Sequence, residues 1–314
     1  MVAMLISFKR QGYHTLAFHN YVGSYFSRNK SHPNMGFDCY FCNDGMKFTT
    51  EWPSSDLEMM EQSLEYVFEA GEPFCAYYMT FSGHYRYDFY SNPMCIRNKD
   101  AVKNLDYPEA VRAYIACNLE LEYALEYLFA QLEEQGMLDH TVIVLTGDHY
   151  PYGLSEWQYN QLAGEDLEKP FGKMKNSFIC WAAGMEDPVV CDNVCCNIDI
   201  LPTLLNLFGV EYDSRLLAGT DVLSDGQHIA IFSNQSFITD VLSFNSSTNK
   251  ANYFVDEATI PDNYLKSMIQ LVKTKLLISS RILYNDYYRF VFEDGGFSLG
   301  GKTPETKTVR EETQ

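Results

Sequence analysis

Positive charge is scarce in this sequence: 23 Lys and Arg stand against 42 Asp and Glu, a formal net charge of −19 at pH 7. Nucleic acids and anionic membrane surfaces are held through clustered Lys and Arg, so the composition excludes a nucleic-acid partner. An anionic substrate is compatible with such a chain only where a metal ion or a few local cations reverse the field. Long apolar runs are missing too. None approaches the roughly 18 residues that cross a bilayer, and MVAMLISFKRQGYH is too short for an export signal. The sequence as written is therefore expected to carry neither a span nor a signal peptide. A second C-x-x-C is also absent. Nine cysteines is an odd count for a disulfide framework. Cys39 and Cys42 form C-Y-F-C, and Cys191, Cys195 and Cys196 cluster. With no partner motif they read as scattered buried or free thiols rather than a structural zinc site.

What is present is a core. Hydrophobic residues make up 46% of 314, with 23 Tyr and 21 Phe, enough for one large α/β domain or two modest ones. Apolar β-type runs alternate with helical patterns, which predicts an α/β fold with a mostly parallel central sheet flanked by helices. Strands are expected at 13–18, 74–81, 141–145, 177–181 and 229–232, the third fully buried because its apolar run is continuous. Ser55-x-x-Glu58 predicts a capping box opening a helix to about Ala70. Residues 108–135 predict a long amphipathic helix, with Tyr114, Leu121, Leu125, Leu128 and Leu132 on its apolar face and Gly136 at its end. Further helices are expected at 198–208 and 262–280. Residues 85–105 and 150–175 read as long loops, which in a compact domain are usually functional. The division expected is a core over 1–209, a small α+β subdomain over 210–294 and a disordered polar tail over 295–314.

The stretch VIVLTGDHYPYGLSE, from Val142 to Glu156, places Asp148 and His149 just past a strand end, beyond Gly147, which permits a sharp turn. Ligands of open α/β sheets bind at the carboxyl ends of strands. Adjacent Asp and His can give one divalent ion an oxygen and a nitrogen ligand. Taken alone, the dipeptide reads better as a loop Asp beside a surface His. Context reverses that preference, because His19 and His84 also follow predicted strands, which brings three histidines to one sheet edge.

These segments, taken in order, resemble the lipoteichoic acid synthase family of phosphoglycerol transferases, within the sulfatase and alkaline phosphatase superfamily. They are GYHTLAFHN, then YFSR at 25–28, MGFDCYF, PFCAYYMTFSGHYRY, GMLDHTVIVLTGDHYPYGL, IDILPTLLNLFGVEYDSRLLAGTDVLSD, IFSNQSFITD and ISSRILYNDYYR. The resemblance implies a divalent cofactor, usually Mn2+, with Zn2+, Mg2+ or Ca2+ as alternatives, and assigns Asp148 and His149 to its site. It places His19, Phe26, Arg28 and His84 in the pocket for glycerol phosphate, His84 also as a catalytic group, with Phe26 where the family often has Trp. Arg suits a bidentate grip on phosphate, and His can donate a hydrogen bond or carry a proton. Asn118 reads as a solvated helix position rather than a cleft residue. Phosphatidylglycerol or a glycerol-phosphate polymer is the implied partner, and the implied parent is membrane-anchored with an extracellular catalytic domain.

The resemblance also implies an acidic metal ligand and a Thr nucleophile upstream of the GY-x-T segment. Residues before Gly12 include neither. The expectation is therefore a truncated form, the C-terminal two thirds of the catalytic domain, without its nucleophile. An ester hydrolase of the same superfamily and a non-catalytic binding remnant are the alternatives.

Overall fold

The computed structural model describes residues 8–287. They divide into two compact units, one ending at Val189 and one beginning at Val190. The predicted polar tail at 295–314 lies outside the described residues.

The first unit runs β1 (His14–His19), α1 (Arg28–Met35), β2 (Cys39–Phe41), α2 (Asp56–Ala70), β3 (Phe74–Met79), α3 (Pro93–Arg97), α4 (Lys99–Val102), α5 (Glu109–Glu134), β4 (Val142–Thr146), α6 (Glu156–Ala163) and β5 (Phe178–Ala182). The order β2-β1-β3 makes a parallel sheet, with Leu16 opposite Cys39 and His14 opposite Phe74. Paired on both edges, β1 is buried from Thr15 through His19, as a central parallel strand should be. Leu16 and Phe18 pack beneath α2 on Met59 and Val67. The α/β class and parallel sheet are as predicted.

Four local expectations need correction. The strand predicted at 141–145 forms one residue later, and only Ile143 is buried along it. Among the described residues β4 pairs along one edge only, antiparallel to β5, so its continuous apolar run does not mean burial on both faces. Second, the capping box is half made. Ser55 Oγ accepts from the Glu58 N–H at 3.1 Å, but the Glu58 carboxylate turns to Thr49 and Arg97. Ser55 instead donates to the buried Glu120 at 2.5 Å. Third, the buried face of α5 is Val111, Ala113, Ala116, Cys117, Glu120, Ala124 and Leu132. Helices α2 and α5 approach over Ala124, with Met60 and Leu64 against it. Residue size, not hydrophobicity, selects that face, and Leu121, Leu125 and Leu128 sit half-buried on its shoulders. Fourth, the two long loops are not structureless: α3 and α4 lie in the first, and α6 in the second, opened by a true Ser155–Gln158 capping box.

The second unit contains α7 (Ile200–Leu207), an antiparallel meander of β6 (Ala230–Ile231), β7 (Phe237–Ile238), β8 (Leu242–Asn245) and β9 (Lys250–Tyr253), and α8 (Tyr264–Tyr284). Phe237, Leu242 and Phe244 from the meander pack on Met268 and Val272 of the helix. Of this meander the sequence pattern predicts only the first strand, because strands of two to four residues carry too little alternation to be read.

Candidate functional site

The chain leaves β1 at His19 and Asn20 and leaves β3 at Phe81 and Ser82, and one carboxylate ties the two exits together. Asp56, at the start of α2, accepts from Asn20 Nδ2 at 2.8 Å, from Phe81 N–H at 2.7 Å and from Ser82 N–H at 3.2 Å. The Ser82 hydroxyl donates to it as well. Asp56 is wholly buried, and that burial raises its pKa against the pull of these donors. The sequence pattern marks this segment only as a helix start. The second role shows once β1 and β3 lie side by side.

His19, the last residue of β1, is 2% exposed. Its Nδ1 lies 2.9 Å from the Met79 carbonyl. A carbonyl only accepts, so Nδ1 carries the proton and Nε2 keeps its lone pair. Arg28 Nη1 donates to that Nε2 at 3.3 Å. Burial, with Arg28 adding to it, lowers the His19 pKa to about 4 despite the Met79 bond. His19 is thus neutral at pH 7 and spends both nitrogens within the protein. Its Nδ1 faces the Met79 carbonyl and its Nε2 faces Arg28.

Arg28 forms no ion pair among the described residues, so its charge stays available to an anion. Its guanidinium sits 5.3 Å from the Phe26 ring and 5.5 Å from Tyr25. Phe26 is 76% exposed. Phe26 and Ser27 hold φ of 50° and 55°, left-handed values that cost non-glycine residues on the order of 1–3 kcal/mol each and tend to occur at functional sites.

His84 and His149 repeat the tautomer logic. Each places Nδ1 2.8 Å from the next residue's carbonyl, Tyr85 and Tyr150 respectively. In the neutral ring Nε2 is then the acceptor nitrogen of each, and that of His84 lies 3.3 Å from the Tyr152 hydroxyl. Aromatic rings surround His84: Trp52 at 4.7 Å, Phe81 at 5.0 Å and Tyr85 at 5.2 Å between centroids. Phe81 also lies 5.8 Å from His19, so both histidines contact one ring. Asn118 corrects its expectation. It is half-buried on α5 with its amide on the Tyr114 carbonyl, and its Oδ1 would lie 2.9 Å from a Cβ at Gly83.

Asp148 and His149 follow β4 with Oδ1 and Nε2 3.6 Å apart. Two ligands at about 2.1 Å on a tetrahedral ion are roughly 3.4 Å apart, so this oxygen and this nitrogen fit two corners of a divalent coordination shell. Among the described residues no group of three or more His, Cys, Asp or Glu completes a site. None of the nine cysteines is in a disulfide. Gly147 owes its place to a neighbour rather than to a left-handed turn. A Cβ there would meet Asn176 Oδ1 at 2.8 Å, and Asn176 Nδ2 donates to the Gly147 carbonyl at 2.5 Å.

The family model for sulfatases matches residues 2–210. The chain belongs to the sulfatase family. Within it the similarity runs to lipoteichoic acid synthases. A lipoteichoic acid synthase-like protein, YvgJ of Bacillus subtilis, is 26% identical over 300 residues, covering 91% of this chain and 47% of that protein. The lipoteichoic acid synthase of Staphylococcus aureus is 26% identical over 296 residues, covering 90% and 44%. The sulfatase-family chain thus spans about half the length of the curated relatives it matches. Its fold is shared with the lipoteichoic acid synthase LtaP from Listeria monocytogenes at a TM-score of 0.74 and 22% identity, over 90% of this chain and 72% of that one.

Proposed function

We propose that the protein carrying this segment is a phosphoglycerol transferase that moves glycerol phosphate from phosphatidylglycerol to a cell-envelope polymer or glycolipid. The observation that carries the reading is an uncompensated Arg28, held by neutral His19, together with His84 in an aromatic wall. This is a site for a phosphate joined to a small polyol: Arg28 binds the phosphoryl oxygens through its remaining N–H groups, and His84 Nε2 accepts from a glycerol hydroxyl in place of the Tyr152 hydroxyl. Phe26 flanks the guanidinium and Trp52 flanks the His84 ring.

Asp148 and His149 are proposed to hold the divalent ion, manganese by family resemblance. Such an ion supplies positive charge against the transferring phosphoryl group, which a chain of net charge −19 otherwise lacks. Among the described residues no helix is long and apolar enough to cross a membrane. Anchoring of the full protein, with this region outside the cell, follows from the same proposal.

The test is diacylglycerol release from phosphatidylglycerol vesicles with manganese present. Release is expected from the full protein that carries this segment, and it should fall at least a hundredfold in its Arg28→Ala and His149→Ala variants, since both act on the reacting group. Release that survives both substitutions would overturn the proposal. Glycerol phosphate delivered only to water, at an unchanged rate without acceptor, would move the reading to an ester hydrolase.

A further inference from the structure

Tyr152 lies on the segment after His149, and its hydroxyl is 3.3 Å from His84 Nε2. With Nδ1 donating to the Tyr85 carbonyl, the neutral ring has Nε2 as its acceptor, so the Tyr152 O–H is the donor. The same ring packs on His149 at 4.9 Å and on Tyr85 at 5.2 Å between centroids. Tyr152 therefore touches both imidazoles at once. His84 follows β3 and His149 follows β4, and these strands belong to different sheets.

The backbone on either side is anchored. A Cβ at Gly153 would meet the Tyr87 ring at 2.8 Å and Tyr85 Cβ at 3.0 Å, so only glycine allows this approach. Leu154 then enters the buried cluster of Tyr87, Met94, Cys95, Ala113 and Cys117. The 152–154 segment is thus docked onto the loop that carries His84, and Tyr152 is set between the histidines by its neighbours rather than by its own burial.

We propose that Tyr152 is a positioning residue that fixes His84 and His149 relative to each other, the hydroxyl holding the first and the ring face the second. This rests on the reading that both imidazoles serve one site. Its consequence is specific: removing the hydroxyl frees His84 alone, whereas removing the ring frees both.

The experiment is long-range 1H–15N correlation of the imidazoles in the 15N-labelled, metal-free chain, comparing wild type, Tyr152→Phe and Tyr152→Leu. In Tyr152→Phe the His84 Nε2 resonance should move downfield, as expected for a lone pair that has lost its donor, with the His149 signals in place. In Tyr152→Leu both sets should move. A His84 Nε2 resonance unmoved in Tyr152→Phe overturns the proposal, as does movement of both histidines together in that variant. If Tyr152→Leu fails to fold, Tyr152→Phe still decides, because it keeps the ring. The readout needs no turnover, so a shifted His84 in a protein without transferase activity would uphold the positioning role and reject the function proposed above.

Discussion

Acidification should weaken the unit that ends at Val189 through His19, and the size of the effect follows from its surroundings. Folded His19 titrates at about 4, held down mainly by burial and also by Arg28, against an ordinary value of 6.5. Between those values the unfolded chain binds the proton and the folded chain does not. Stability is therefore fully present above about pH 6.5 and lost as pH falls. A gap of about 2.5 pH units at about 1.36 kcal/mol each amounts to roughly 3 kcal/mol, of which most is gone by about pH 4.5. Burial also lowers the His32 pKa, in the same direction, so wild type alone does not isolate the effect. His19→Asn does: its amide can still donate to the Met79 carbonyl but does not titrate. Urea unfolding followed by tryptophan fluorescence reads this unit, since Trp52, Trp157 and Trp181 all precede Val190. Measured from pH 7.5 to 4.5, the wild-type stability should fall by about 2–3 kcal/mol more than that of His19→Asn. Parallel curves for the two proteins would refute the argument that His19 is held neutral by burial.

Asp56→Ala should cost at least about 2 kcal/mol, because it leaves the buried N–H groups of Phe81 and Ser82 unpaired at about 1–3 kcal/mol each, offset in part by removal of a buried carboxylate; urea unfolding at pH 7 measures it, and no loss of stability would contradict the assigned role. Gly153→Ala should cost about 1–3 kcal/mol by overpacking against Tyr87 and Tyr85; hydrogen exchange should show faster opening confined to the 150–155 segment and the loop it docks on.

Much of the site is legible in the sequence because strand ends are legible. His19, His84, Asp148 and His149 each follow an apolar run that stops, and Arg28 follows an aromatic segment. What those residues do is less legible. The tautomers depend on carbonyls such as Met79, sixty residues away from His19 in the chain, and the sequence order does not show which carbonyl a ring will meet. Asp56 looks like an ordinary first-turn acid, and its task of joining two strand exits exists only after β1 and β3 pair. Tyr152 carries no signal, since one more tyrosine in a chain of 23 does not stand out. In the fold, the pattern misplaces the buried face of α5 because close approach of α2 favours alanine over leucine. It misses the meander of the second unit because those strands are too short for a period-2 pattern to register.

The central claim is that Asp148 and His149 supply a divalent-ion site beside an anion pocket, and the position of the ion tests it most directly. Crystals of the protein soaked in manganese chloride should give an anomalous peak at bonding distance, about 2.0–2.2 Å, from an Asp148 carboxylate oxygen and from His149 Nε2. The peak should vanish in Asp148→Ala. A manganese peak bound instead in the acidic groove of Glu61, Glu65 and Glu69, with none at Asp148 and His149, would contradict the account.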